Sequence, residues 1–443
     1  MGNKYKKSVF NIIVDELSAG DILIFNSFRS TFGIMDCETQ CMYENIESFD
    51  IAANDNEKVK ETFSVLYKNG FIVPMELDEH SLIELEYQRA KFDNTRFALT
   101  IAPTLACNMS CPYCFEEHRA GRMNDTVQEA LCIFVEKHIE DTNCKAIHVT
   151  WYGGEPLLEV DIISSLSHRI MSICETHNVI YTASIITNGV LLSRKVAEKL
   201  VALKILRAQI TIDGMPKYHN SRRVLKNGEE SFDVIMNNID ACYDLMDINV
   251  RVNVDEGNIE NIEELISFLI NEKGWKKNPS FYLAPVENYT DADYFNQTKK
   301  ADLLRFIDYD ESLMERTCDM IDNKPNPSLY PRRKSAFCQA ASLNSYVVDS
   351  EGYLYKCWNV IGNKEKAVGT VVSNDRMNIE GIKWLSYKPG EECYSCSYLP
   401  LCLGGCPYQY IEKGKHSCGT VKETALTHLR LAYRQYISLK DRK

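Results

Sequence analysis

Between about Phe97 and Ala284, apolar β-rich runs alternate six times with stretches of helical length. The runs are FALTIAP, AIHVTWYGG, YTASIITNG, LRAQITIDG, VRVNVDE and PSFYLAP, ending near Pro103, Gly154, Gly189, Gly214, Glu256 and Pro285. Between them, Val127 to Glu140, Asp161 to Thr176 and Phe232 to Met246 space their apolar residues as one helix face does. Repeated strand–helix units predict a parallel sheet. Eight units close a full barrel, so six predict an α/β partial (β/α)6 barrel of the TIM type over residues 93–286. It is expected to be open on one side, with functional loops at the C-terminal ends of its strands.

The flanks carry other patterns. Residues 1–92 combine short strands, Phe10 to Asp15 and Asp21 to Asn26, with the helical Glu57 to Lys68 and the strand-like GFIV. That predicts a small α+β module. Residues 287–337 are polar with a helical middle and end in a loop-like NPSLYP, which suggests a bridging segment. Residues 338–420 are rich in cysteine and glycine and poor in periodicity, so metal is expected to hold them together. Helical spacing returns from Val421 to Leu439, predicting a closing helix within 421–443.

The chain has 443 residues, enough for two or three domains, and a formal net charge of −12. That charge repels phosphate backbones, and no basic stripe with interleaved aromatics offsets it, so nucleic acid is not an expected partner. No apolar run approaches a membrane span, and MGNKYKKSVFNIIVDE lacks a signal-peptide apolar region; a cytoplasmic location is the expectation. Seventeen cysteines change the picture, because in a reducing compartment clustered thiols bind metal or do redox chemistry.

CNMSCPYCFE places Cys107, Cys111 and Cys114 within eight positions, directly after the first barrel strand. Thiolates suit zinc or iron–sulfur clusters, and a structural zinc site closes its tetrahedron with a fourth ligand, for which His118 is available. Three thiolates alone would instead hold a cubane at three irons and leave one iron open. This spacing resembles the CxxxCxxC signature of the radical S-adenosylmethionine (SAM) superfamily. The resemblance implies that the open iron chelates SAM and that the reduced cluster cleaves it to a 5′-deoxyadenosyl radical. It further implies adenine contact at Tyr113 and SAM amino-group binding by GGEP (Gly153, Gly154, Glu155, Pro156). Ribose and carboxylate contacts would fall at TNG and TIDG, with Asn188, Thr211 and Arg223 as candidates. Polar residues at strand ends also serve simply as helix caps or backbone partners.

Near the C-terminus, Cys338, Cys357, Cys393, Cys396, Cys402, Cys406 and Cys418 follow the order Cys, GxxxxC, CxxCxxxxxCxxxC, Cys. One zinc ion would use only four of them. The array resembles the SPASM domain of radical SAM peptide maturases, which binds two auxiliary [4Fe–4S] clusters and so brings the total to three. By position, the resemblance assigns Cys393, Cys396, Cys402 and Cys418 to an outer cluster and Cys338, Cys357 and Cys406 to an inner one. One inner iron is then left without a ligand from this array. Sulfatase maturases fill that place with an extra cysteine and carry an aspartate after the second cysteine. Here Gln339 to Lys356 holds no cysteine, and Trp358 stands in the aspartate's place. The vacancy instead resembles thioether-forming maturases, in which a substrate cysteine binds the open iron; water, a carboxylate or a thiol such as Cys318 is the alternative.

The first module resembles the winged-helix elements that bind the leader of a ribosomally synthesised precursor by strand addition. The chain is thus identified as resembling sactipeptide and ranthipeptide synthases, with a cysteine-containing precursor peptide and an electron donor such as flavodoxin or ferredoxin as partners. Carbon–carbon cross-linking, formylglycine formation or a non-enzymatic cluster- or zinc-binding adaptor are the competing readings. No general base is identifiable. Cys37, Cys41, Cys132, Cys144, Cys174, Cys242 and Cys318 are expected to be core thiols.

Overall fold

The computed structural model describes residues 4–15, 17, 22–287, 302–321, 324–336, 338–373 and 376–440. Asp21, residues 288–301 of the polar stretch, and the last three residues of the closing segment lie outside them. Contacts group the chain into two units, one of residues 92–313 and 338–387, the other of 1–91, 314–337 and 388–443.

The smaller-numbered strands belong to the second of these units. Strands β1 (Tyr5–Lys7) and β5 (Ile72–Pro74) pair antiparallel, while β2 (Asn11–Val14), β3 (Ile22–Asn26) and β4 (Thr31–Met35) form an antiparallel meander. Ile12, Val14, Leu23 and Phe25 turn one face of that meander to Leu401, Ala425, Leu429 and Tyr433. Ile24 and Met35 turn the other to Tyr43, Ile46, Phe63, Leu66 and Phe71. The sheet is therefore buried on both sides. Cys37 and Cys41, expected as core thiols, are instead exposed on the helix Cys37–Glu44, whose one buried side chain is Tyr43.

In the other unit the six alternating runs become β6 (Arg96–Ile101), β7 (Ala146–Trp151), β8 (Ile180–Thr187), β9 (Ile205–Thr211), β10 (Asp247–Val254) and β11 (Ser280–Pro285). They lie in the spatial order β11-β10-β9-β8-β7-β6, every neighbouring pair parallel, as the partial barrel requires. Helices Asp125–Asp141, Val160–Thr176, Arg194–Ala202 and Phe232–Cys242 supply crossovers; Asn124 and Ser193 cap the first and third by accepting from Val127 N–H and Val196 N–H. Strand alternation sorts the side chains. On β7, Ile147, Val149 and Trp151 are buried, whereas His148 and Thr150 line the lumen.

The sheet does not stop at β6. Strand β12 (Ser345–Val348) adds in parallel beside it, followed by β13 (Tyr353–Tyr355) and β14 (Gly369–Thr370), both antiparallel. Part of the cysteine-rich stretch is thus built onto the barrel edge. Cys132, Cys144, Cys174 and Cys242 are buried in the barrel unit's apolar core, as expected of small apolar side chains.

Candidate functional site

The three clustered thiols sit on the loop that leaves β6, and that loop is held against the turn leaving β7. Gly154 N–H donates to Thr104 O at 3.3 Å, and Glu155 N–H to Ala106 O at 2.9 Å. Glycine is required here by close approach. A Cβ on Gly154 would lie 2.3 Å from Ala106 O, and one on Gly153 would lie 2.3 Å from Thr104 O at a φ of +112°.

Glu155 is fully buried and does not line the cavity. Its carboxylate accepts from Leu157 N–H (2.9 Å), Thr187 Oγ1 (2.7 Å) and Asn188 N–H (2.8 Å), tying the GGEP turn to the TNG turn. Burial raises its pKa, and those donors work in the opposite direction. Asn188 completes the tie by donating from Nδ2 to Asn108 Oδ1 at 2.7 Å, one residue after Cys107. Pro156 opens the short helix that follows.

These turns enclose a cavity of about 310 Å³, within the range of small-molecule sites. Cys107, Cys111, Cys114, Tyr113, Gly153, Gly154, Asn188, Thr211 and Arg223 all line it, so the residues singled out for the SAM site meet in one place except for Glu155 and Pro156. Burial pushes Cys107 up to about 11 and Cys114 up to about 12, and raises Cys111 as well. Without a positive counter-charge these thiols stay protonated, and a bound metal centre would bring their values down. His118 Nε2 lies 3.6 Å from Cys114 Sγ.

Behind Tyr113 stands a buried charged network. The Tyr113 hydroxyl donates to Asp213 Oδ2 and accepts from Arg223 Nη1 at 3.0 Å. Arg222 forms a fork to both Asp255 oxygens (2.8 and 2.9 Å), reaches Asp213 from Nε at 3.4 Å, and stacks over the Tyr113 ring at 5.0 Å. Burial opposes the Arg222 charge, and Asp213 and Asp255 more than offset it. His219 accepts from Asp213 N–H through Nδ1, so its proton resides on Nε2 beside Ser231 Oγ; burial keeps the ring neutral.

Arg223 Nε, Glu116 Oε2 and Asn359 Oδ1 are buried with no hydrogen-bond partner among the described residues, and all three residues line the cavity. One donor and two acceptors left open suit a ligand carrying both a carboxylate and amino groups, as SAM does. Glu116, missed by sequence reasoning, is pushed up to about 7 by burial, with a hydrogen bond to Tyr152 opposing. Gln209, Arg251 and Asn253 were also missed. Arg251 and Asn253 alternate in VRVNVDE at the C-terminal end of β10, a signal that could have found them.

The cavity wall also includes Trp358 and Asn359, which directly follow Cys357. Trp358 stacks on Tyr152 with ring centroids 5.3 Å apart, and both Cys114 and Cys357 act electrostatically on Tyr152. Lys356 clamps the segment beyond Cys338, donating from Nζ to Ser342 O (2.5 Å), Leu343 O (3.2 Å) and Ser345 O (2.7 Å). A second cavity of about 720 Å³ shares Ile186, Gln209 and Trp358 with the first and continues down the polar lumen past His148 and Ser184.

In the other unit, Cys402 and Cys418 lie near enough to Cys393, and Cys396 and Cys418 near enough to Cys402, to add to the upward push that burial gives both thiols. Gly405 permits the approach, since a Cβ there would lie 1.9 Å from Ser417 O. Among the described residues no three ligands meet closely enough for one metal ion; a cubane spaces its thiolates at separate irons. Cys318 is buried among Leu329, Leu431 and Ala432.

Residues 101–269 match the family model of the Radical SAM superfamily. A cysteine-type anaerobic sulfatase-maturating enzyme of Clostridium perfringens is 24% identical over 353 residues, 70% of this chain and 88% of that protein. Among solved structures, anSMEcpe with bound AdoMet and the Kp18Cys peptide superposes with a TM-score of 0.59 at 19% identity, over 78% of this chain and 99% of that one. Streptococcus suis SuiB bound to precursor peptide SuiA gives 0.50 at 15%, over 94% and 98%. The family match runs from the end of β6 through the helical segment after β10, so that part of the chain carries a Radical SAM domain. Proteins of that family use a [4Fe–4S] cluster and SAM as cofactors. No helix among the described residues is long and apolar enough to cross a membrane.

Proposed function

We propose that this enzyme modifies a ribosomally synthesised precursor peptide by joining a cysteine sulfur to a carbon of the same peptide. The observation that carries the reading is that the chain leaving Cys357 enters the wall of the cavity lined by Cys107, Cys111 and Cys114. A ligand of the inner auxiliary cluster and the SAM-cluster ligands would then serve one reaction chamber. Both peptide-bound neighbours act in support, because anSMEcpe and SuiB were each solved with a peptide.

Cys107, Cys111 and Cys114 would hold the first cluster, Cys338, Cys357 and Cys406 the inner auxiliary cluster, and Cys393, Cys396, Cys402 and Cys418 the outer one. When bound, the first cluster supplies the reductive cleavage of SAM to a 5′-deoxyadenosyl radical. Gly153 and Gly154 let the β6 loop pack against the turn that lines the chamber, Arg223 offers its open Nε to a carboxylate, and Tyr113 would lie against the adenine. Trp358 and Tyr152 wall the chamber and limit water around the radical. The polar lumen beneath, with His148, Thr150 and Ser184, suits a hydrophilic peptide segment. The amino-terminal module would take the leader, and a flavodoxin or ferredoxin would supply electrons.

Formylglycine formation is the second reading, favoured by the sulfatase-maturating relative. Against it stand Trp358 in place of the aspartate and the absence of a cysteine between Cys338 and Cys357. The proposal is tested by comparing Cys107→Ala with Cys357→Ala. The first should abolish 5′-deoxyadenosine formation; the second should lose the cross-link while some cleavage continues. Parallel loss of both activities in a folded Cys357→Ala protein would count against separate roles.

A further inference from the structure

The segments that carry the four outer-cluster thiols are seated on the amino-terminal module. Between Cys393 and Cys396, Tyr394 donates its hydroxyl to Glu84 Oε2 at 2.8 Å and meets the His80 ring edge-on at 6.2 Å. Between Cys396 and Cys402, Ser397 O accepts from Ser27 Oγ, and Leu401 enters the core formed by Ile12, Val14, Leu23 and Phe25. Just after Cys418, the helix Val421–Lys440 lays Ala425, Leu429 and Tyr433 on the same face. Lys334 N–H also donates to Pro400 O at 2.9 Å. Each gap between the thiols from Cys393 to Cys402, and the helix beyond Cys418, thus touches residues 12–84 or extends their core.

The cysteine-bearing segments are themselves short of regular structure. Glu391–Tyr394 and Leu399–Cys402 are single turns, and Leu403, Gly404 and Gly405 all adopt positive φ. Such segments gain order from the metal that they bind. Leu401, together with Ala425, Leu429 and Tyr433 of the helix that follows Cys418, covers one apolar face of the β2-β3-β4 sheet.

From this we infer that the outer cluster acts as a structural staple for the amino-terminal peptide-recognition module, so that the module is held in its folded form only while that cluster is in place. The inference rests on the outer-cluster ligand set given above. Because coupling is reciprocal, contacts on the module side also hold the cluster.

The test is hydrogen–deuterium exchange on the full chain, anaerobically loaded with clusters, comparing wild type with the double variant Cys396→Ala, Cys402→Ala, with iron counted in parallel. One cluster's iron should be lost, and exchange over residues 10–35 and 79–91 should quicken by about tenfold or more while the barrel strands β7 and β8 stay unchanged. Iron loss with unchanged exchange in 10–35 would overturn the staple and leave the ligand set standing. Unchanged iron would overturn the ligand set itself, and the staple with it. Tyr394→Phe, which keeps every thiol, provides the reverse measurement: iron release to a chelator such as bathophenanthroline should accelerate about fivefold. Release at the wild-type rate would overturn the coupling even where the double variant fails to fold.

Discussion

Replacing Gly154 with alanine adds one carbon at the most crowded point of the candidate site. The new Cβ would meet Ala106 O at 2.3 Å, Ala106 C at 2.6 Å and Leu105 O at 2.6 Å, all backbone atoms that no rotamer change can move away. Because Cβ contacts under 3.0 Å essentially do not occur, the loop leading into Cys107 must retreat by at least about 0.7 Å. Gly154 has no positive φ, so the effect is the clash alone, without backbone strain. Overpacking of this kind costs roughly 1–3 kcal/mol. The shift also strains the Glu155 N–H to Ala106 O bond of 2.9 Å and displaces Cys107 relative to Cys111 and Cys114. A misplacement near 1 Å at a reacting centre lowers rate by about 100-fold. 5′-Deoxyadenosine formation in anaerobic assays, with iron counted per chain, should therefore fall by about that factor. Gly228→Ala is the control, since Gly228 has a φ of +82° but nothing within 4 Å of the added carbon. If Gly154→Ala cleaves SAM within twofold of wild type, the packed-turn account of the site is wrong.

Two further outcomes follow from the buried charges and rings. Arg222→Met removes the fork to Asp255 and the contact to Asp213, leaving two buried carboxylates without that guanidinium. Unfolding free energy should drop by about 3–5 kcal/mol in denaturant titration, and a loss below about 1 kcal/mol would show the network to be solvated. His138, 3% exposed and stacked on Phe97 at 3.9 Å, has its pKa lowered to about 4, chiefly by burial and then by Arg376, with Asp141 opposing. Its folded pKa lies below the unfolded value of about 6.5, so the unfolded chain binds the extra proton first. Stability should then fall by up to about 1.4 kcal/mol per pH unit between pH 6.5 and 4, and His138→Phe should remove that slope. An identical slope in the variant would place the titration elsewhere.

The six barrel strands were legible because each carries an uninterrupted β-branched or alternating run ending in a turn signal, as AIHVTWYGG does. The thiol-bearing loop and the GGEP turn were legible for a different reason: their spacing relative to those strands is short and local. Strands β12 to β14 were not, since two to four residues are too few to show a period. Glu116 was overlooked because only its burial against Tyr152 distinguishes it from its exposed neighbour Glu117. Cys37 and Cys41 share a helix face, but nothing in their spacing says that this face is turned to solvent. The packing of Leu401 and Leu429 on Ile12 and Phe25 joins residues nearly four hundred positions apart, beyond the reach of any local pattern.

The central claim is that the chamber joins a peptide cysteine to carbon, and mass spectrometry of the peptide product tests it most directly. The cluster-loaded enzyme would be incubated anaerobically with SAM, a reductant and the cysteine-containing precursor, and the product analysed with and without thiol alkylation. The account predicts loss of two hydrogens together with one alkylatable cysteine. Loss of two hydrogens with every thiol still reactive would contradict it, moving the bond to carbon and leaving the Cys357 side of the chamber without its proposed role.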